Sequence, residues 1–435
     1  MFTRKFKGVL IIALCLFTAL FFVGCGGATG NAEPSPSPVP SEPPTPRPPD
    51  IEHVIPPIEG TATPTELPAP PQASDGSEPA TSTEPATSTE VSLVPYNGIV
   101  EHLFFHPVVA YPELAFDGDA KEAGIDEYMV TVDEYNKMLQ SIYDKGYILV
   151  DMNDVWEEYT TESGGYAMRR NTLMIPEGKK PLILSYDDTN YYEYMQTNGF
   201  TFKLFIGTDG EIWSYGLDPE GKTVISQDLD AITILEKFIR EHPDFSPFGV
   251  KGLLCLTGYE GILGYRTNKD TKIHTTEFEE NRQREIEKAR PVVEKLKANG
   301  WYFASHSWGH INLNTASFAS SKADADRWQD EVASLVGPTK LMVYPFGSRL
   351  DGDDVKQTGE AFKYYHSLGF RVFASVGIES FSRIKTDISA VICDRMHADG
   401  GTLRREPDRY AKFYDAAEVW DDSRPVEGMY GPRKW

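Results

Sequence analysis

Short apolar runs recur along the chain from residue 102 to residue 393, each set off by a polar or amphipathic stretch: HLFF (102–105), YILV (147–150), LILSY (182–186), LLCLT (253–257), WYFAS (301–305), LMVY (341–344), RVFAS (371–375) and AVIC (390–393). Runs of four or five are too short for helices and have the length of strands covered on both faces. The segments between them carry the helical period. Thr131 and Glu134 have the spacing of a capping box that opens a helix stopped at Gly146, and Ile286, Ala289, Val293 and Leu296 recur at helical spacing before Gly300. Strands alternating with helices predict the α/β class, and seven or eight such units predict a parallel barrel. One stretch breaks the alternation. Residues 201–250 stand as an insertion, in which TFKLFIGTDGEIWSYG alternates as a hairpin turning at Asp209-Gly210, either a rim over the site or a decoration.

The first 95 residues follow neither pattern. The basic start MFTRKFK and the apolar run Val9 to Val23, ending in VGCGG, have the form of a secretory signal. The run is shorter than the roughly 17–25 apolar residues of a spanning helix. Phe22-Val23-Gly24-Cys25 resembles the bacterial lipoprotein signal, although phenylalanine stands where leucine is more usual. That resemblance implies a lipidated Cys25 holding the protein to the outer face of the cell membrane, with plain secretion as the alternative. Between residues 31 and 95 lie 18 of the 31 prolines and no Phe, Trp or Tyr, so no core can form there. The expected organisation is a signal peptide (1–25), a disordered Pro/Thr/Ser-rich linker (26–95) and one domain (96–435). The formal net charge of −23 argues against nucleic acid as a partner. Cys255 and Cys393, the two cysteines outside the signal, fall in apolar runs and are expected as buried thiols rather than a disulfide.

Parallel barrels carry their chemistry at the carboxyl ends of the strands, so the residues that follow each apolar run are the candidates. LILSY is followed by Asp187 and Asp188, WYFAS by His306 and His310, LMVY by Pro345-Phe346-Gly347, and AVIC by Asp394-Arg395-Met396-His397. His306 and His310 are four residues apart; in a helical turn that is a rise of about 6 Å on one face, which suits chelation. His102 and His106 have the same separation inside an apolar run that reads as a strand, where about 13 Å would keep them from sharing an ion. A carboxylate with two imidazoles is an ordinary catalytic zinc set, and the second carboxylate would then be free to act as base. Taken singly, the aspartate pair reads more readily as a helix cap or turn, and the two histidines equally as loop residues.

LSYDD, ASHSWGHINL, MVYPFG and RMHADG, in this order and strand context, resemble the polysaccharide deacetylases of the NodB-homology type, carbohydrate esterase family four. HLFFHPVV and the stretch from VTVDEYNKM to DMNDV look like the lead-in of the subgroup with a Tyr-Pro-Phe-Gly turn. The resemblance covers about residues 96–415 and implies a distorted (β/α)7–8 barrel that hydrolyses N-acetyl groups of an acetylated polysaccharide. It implies Zn2+, or another divalent transition metal, held by Asp188, His306 and His310. Asp187 would be the catalytic base, His397 the catalytic acid, and the Phe346 amide, in the turn opened by Pro345, an oxyanion donor. Three positions depart from the pattern: Thr189 replaces glycine or serine, Val343 replaces an arginine, and Arg395 replaces a leucine. Arg395 is a candidate to supply the missing guanidinium from another strand. The departures leave two alternatives, a carbohydrate-binding protein on a decayed barrel and a carbohydrate O-acetyl esterase.

Overall fold

Seven parallel strands close into a ring. The computed structural model describes residues 92–270, 272–351, 359–386 and 388–435. The expected signal peptide with Cys25, and the linker up to residue 91, lie outside the described residues. The eight expected strands all form: β1 (Glu101–Phe105), β2 (Tyr147–Leu149), β3 (Lys180–Asp187), β4 (Leu253–Leu256), β5 (Tyr302–Ser305), β6 (Leu341–Val343), β7 (Val372–Val376) and β8 (Ala390–His397). The ring runs β1–β3–β4–β5–β6–β7–β8 and back to β1. β2 stands beside it. It pairs with Lys180–Leu182 at the entry of β3, whereas Ser185–Asp187 at the exit of the same strand pair with β4. An eighth strand wedged in at one end is the distortion of this (β/α)7–8 barrel.

Alternation along each strand decides what enters the ring. On β3, Leu182, Leu184 and Tyr186 join the large outer core, while Ile183 belongs to a separate inner cluster with Cys255, Ala304, Val343, Ala374, Val391 and Cys393. Ser185 and Asp187 share the parity of Ile183. On β8, Val391 and Cys393 set the same inward parity for Arg395 and His397. Cys255 and Cys393 are both free and buried.

The helices form where the pattern placed them. Thr131 and Glu134 build a capping box on the helix Val132–Asp144, and Gly146 follows it at φ 81°. The long helix Thr276–Ala298 buries Ala289, Val293 and Leu296. Gly300 turns the chain back at φ 98°, where a Cβ would lie 1.9 Å from the carbonyl oxygen of Gly249. The insertion is a three-stranded antiparallel sheet of Thr201–Ile206, Ile212–Leu217 and Thr223–Ser226. It lies on the flank of the long helix through the ion pairs Lys203–Glu285 and Lys295–Glu211, and Leu204 bonds the backbone of Leu263. It therefore braces the loop after β4. Among the described residues no helix is long and apolar enough to cross a membrane.

Candidate active site

Asp187 is the last residue of β3 and points inward, 2% exposed. Its carboxylate accepts two hydrogen bonds from Arg395, Nη1 to Oδ1 at 2.8 Å and Nη2 to Oδ2 at 2.9 Å. Burial alone would raise the pKa of this acid, but the guanidinium and the nearby His306 hold it well below the usual carboxylate range. Arg395 also donates to Ser185 Oγ at 3.1 Å, and Ser185 bonds His102 Nε2 at 2.9 Å, so a polar layer crosses the ring beneath the aspartate. The position of Arg395 corrects the sequence reading. The strand does not stop at Cys393; it runs on through His397, because Val376 on β7 and Leu103 and Phe104 on β1 continue to offer partners. Arg395 is thus a fully buried strand residue lying over the ring of Phe104, 4.1 Å from its centroid.

Adjacent strand residues face opposite ways, yet Asp188 also reaches the mouth. It does so by leaving the strand in the left-handed region, at φ 59°. Tyr192 Oη donates to Asp188 Oδ1 at 2.7 Å and also bonds Thr257 Oγ1 at 2.8 Å, which fixes the remaining oxygen, Oδ2, 3.8 Å from His310 Nε2.

The two histidines do not sit on a helical turn, as their spacing suggested. They occupy a loop in which Ser307 (φ 56°) and His310 (φ 49°) are left-handed, and this brings the rings to 5.0 Å between centroids. Asp324 holds the loop by accepting from the amides of Trp308 and Gly309 at 2.8 and 2.7 Å. His306 Nδ1 lies 3.0 Å from the carbonyl oxygen of Val343. A carbonyl only accepts, so Nδ1 carries the proton and Nε2 keeps its lone pair. Burial lowers the pKa of His306 to about 4, with the neighbouring aspartates opposing, so the ring is neutral near pH 7.

One ligand atom each from Asp188, His306 and His310 lie within 4.8 Å of one another. A carboxylate oxygen and two imidazole nitrogens suit a divalent transition metal, and the carbonyl behind His306 is the outer partner such ligands ordinarily have. The residues fit the group. Beside them Phe346 stands in the Pro345–Gly347 turn at φ 58°, ψ 11°, its ring 4.5 Å from that of His310. The hydroxyl of Thr189, next to Asp188, is buried with no hydrogen-bond partner among the described residues.

His397 ends β8, with Nδ1 2.6 Å from Asp399 Oδ2. Burial works against protonation, but Asp399 outweighs it and raises the pKa of His397. Asp399, itself buried, also caps the helix Gly400–Arg405 through the amide of Thr402. Sequence reading missed Asp399, although a carboxylate two residues beyond the late histidine was visible in RMHADG. It missed Tyr192 and Asp324 too, which only the fold brings to the site. His106 reads in the sequence as half of a strand pair. Alone it follows β1 toward Asp187 and Asp188, and its Nδ1 donates to the Tyr128 carbonyl at 2.9 Å.

Residues 265–372 match the family model described as polysaccharide deacetylase. The matched segment contains the histidine pair and the Pro-Phe-Gly turn; Asp187, Asp188, Arg395 and His397 lie outside it. Among solved structures, the Streptococcus pyogenes deacetylase PplD in complex with acetate is similar at 14% identity and a TM-score of 0.39, covering 74% of this chain and 99% of its own. IcaB from Ammonifex degensii is similar at 13% identity and a TM-score of 0.36, with 74% and 97% covered. A polysaccharide deacetylase from Bacillus cereus is similar at 14% identity and a TM-score of 0.37, with 69% and 65% covered. No curated protein matches the chain.

Proposed function

We propose that the protein is a metal-dependent hydrolase that removes N-acetyl groups from an N-acetylhexosamine polymer at the cell surface, tethered there by a lipidated Cys25 and the Pro/Thr/Ser-rich linker. The observation that carries the reading is the convergence of Asp188, His306 and His310 to within 4.8 Å, beside an ionised Asp187 gripped by Arg395. Zn2+ or a related ion in that set supplies Lewis acidity toward water and the acetyl carbonyl. The residues of the chain do the rest. Asp187, kept ionised and aimed by the guanidinium fork, accepts the proton of the attacking water as its oxygen bonds to the acetyl carbon. The Phe346 amide stabilises the charge that develops on the carbonyl oxygen. His397, oriented by Asp399, donates the proton that leaves with the sugar amine when the carbon–nitrogen bond breaks. Acetate and a free amine result.

Acetate release from a panel of N-acetylated glycans, measured with and without chelator and after adding Zn2+ back, tests this reading. Metal-replete protein that binds the oligomers and releases no acetate would refute it.

A further inference from the structure

Two exposed aromatic side chains, Tyr128 and Tyr430, stand together beside the site. Tyr128 is 47% exposed and Tyr430 63% exposed, and their side chains lie near each other. Tyr128 is placed by backbone contacts next to the site. The carbonyl of Tyr128 accepts from His106, and the next carbonyl, that of Met129, accepts from the amide of Gly400, the first residue after Asp399. Tyr128 is therefore tied to His106, and its neighbour Met129 to the turn that carries Asp399. Tyr430 sits in the terminal hairpin of Glu427–Gly428 and Gly431–Pro432, with the Arg405 guanidinium 5.2 Å from its ring centroid.

The support behind the pair is rigid. Arg405 is ion-paired with Glu127, the residue before Tyr128. Arg424, fully buried, donates to the carbonyls of Asp126 and Met129 at 2.9 and 2.6 Å and to Glu134, so the tail that carries Tyr430 is anchored to the segment that carries Tyr128. Solvent-facing tyrosines fixed in this way present flat apolar area at low conformational cost, with hydroxyls at the edge. A pyranose ring has the matching surface, an apolar face of C–H bonds rimmed by hydroxyls. The patch is continuous with the site, and a polymer held for cleavage of one acetamide must lay its neighbouring sugars on something.

We infer that Tyr128 and Tyr430 form a glycan subsite that stacks a sugar ring of the N-acetylhexosamine polymer next to the residue being deacetylated. The inference rests on the de-N-acetylation reading and names where the rest of the chain lies.

The test compares an N-acetylglucosamine tetramer with the single N-acetylated sugar as substrates for full-length, metal-replete protein. Tyr430→Ala and Tyr128→Ala should lower kcat/KM for the tetramer about tenfold, through KM, which is about 1.4 kcal/mol. The single sugar should lose less than twofold. Tyr430→Phe keeps the stacking face and should retain most of the tetramer preference, which separates stacking from misfolding. Tyr166→Ala, an equally exposed aromatic that lies near the opposite end of the barrel, should leave both substrates alone. Unchanged tetramer KM in both alanine variants would overturn the subsite, as would a change of oligomeric state in Tyr430→Ala, which marks the patch as a contact between copies. Should wild type release no acetate at all, the de-N-acetylation reading fails. Calorimetric titration of the tetramer onto Asp187→Asn protein, with and without Tyr430→Ala, still reads the subsite by itself.

Discussion

Replacing Arg395 by methionine removes the guanidinium that grips Asp187 inside the ring. The two side chains are 0% and 4% exposed, so neither is screened by water, and the variant leaves a carboxylate buried without its partner. Breaking a buried ion pair from one side costs about 3–5 kcal/mol, most of it the penalty on the orphaned charge. Two features place the cost toward the lower end. Arg395 Nε is itself buried without a hydrogen-bond partner among the described residues, and methionine can still pack on Phe104 where the guanidinium lay. At about 2 °C per kcal/mol for a domain of this size, the midpoint of thermal unfolding should fall by about 6–8 °C. The diagnostic arm is the double variant Arg395→Met with Asp187→Asn. It removes the charge as well as its partner and should recover about 1–3 kcal/mol relative to Arg395→Met alone. Unfolding followed in urea with chelator present measures this without any contribution from bound metal. A loss under 1 kcal/mol in Arg395→Met, or no recovery in the double variant, would refute the claim that this guanidinium keeps Asp187 ionised.

Four other outcomes follow from the site. His306→Ala should purify largely free of divalent metal while folded, and His102→Ala should keep its metal; unchanged stoichiometry in the first removes the ligand set. Asp187→Asn should retain metal and glycan affinity but lose turnover by roughly 10²–10⁴, and wild-type turnover in that variant would exclude it as base. His397→Ala should slow cleavage of the amide far more than that of an activated acetyl ester; if instead His106→Ala shows that pattern, the acid is His106. The pKa of His397 is raised by Asp399, so its contribution to stability is fully present below about pH 6.5 and is lost as pH rises through the raised value. In Asp399→Asn burial is left to lower it, so the alkaline limb of kcat should move to lower pH, and an unmoved limb would detach Asp399 from the acid.

The architecture was legible because each apolar run was both short and bounded. The capping box at Thr131 and Glu134 and the stops at Gly146 and Gly300 are local signals, and local signals survive folding. The closure of the ring was not legible in the same way. β2 reads like every other strand, but Tyr147–Leu149 reaches only the first three residues of β3, and β4 takes the rest. Nothing in an apolar run states which partner it will meet or for how many residues. The insertion was recognised as a hairpin from its alternation, whereas its position on the long helix depends on Lys203 and Lys295 finding Glu285 and Glu211, contacts 82 and 84 residues apart.

At the site, strand parity carried more information than motif order. AVIC reads in the sequence as a complete strand, which leaves Arg395 and His397 as loop residues whose directions are open. Yet Val391, Cys393, Arg395 and His397 are alternate residues, and once two of them face the inner cluster the other two must follow as long as the strand continues. That inward parity is what sets Arg395 against Asp187. The same reasoning explains how valine can stand at residue 343, where the resembling family has arginine. Val343 lines the inner cluster with its side chain and holds His306 with its carbonyl, a task that any residue type can perform. The guanidinium arrives from β8, on the far side of β1 from Asp187 in the ring, because a closed barrel turns one face of every strand toward the same interior. A charge missing from one motif can therefore be supplied by another strand, provided that its parity points inward and its length reaches the same layer.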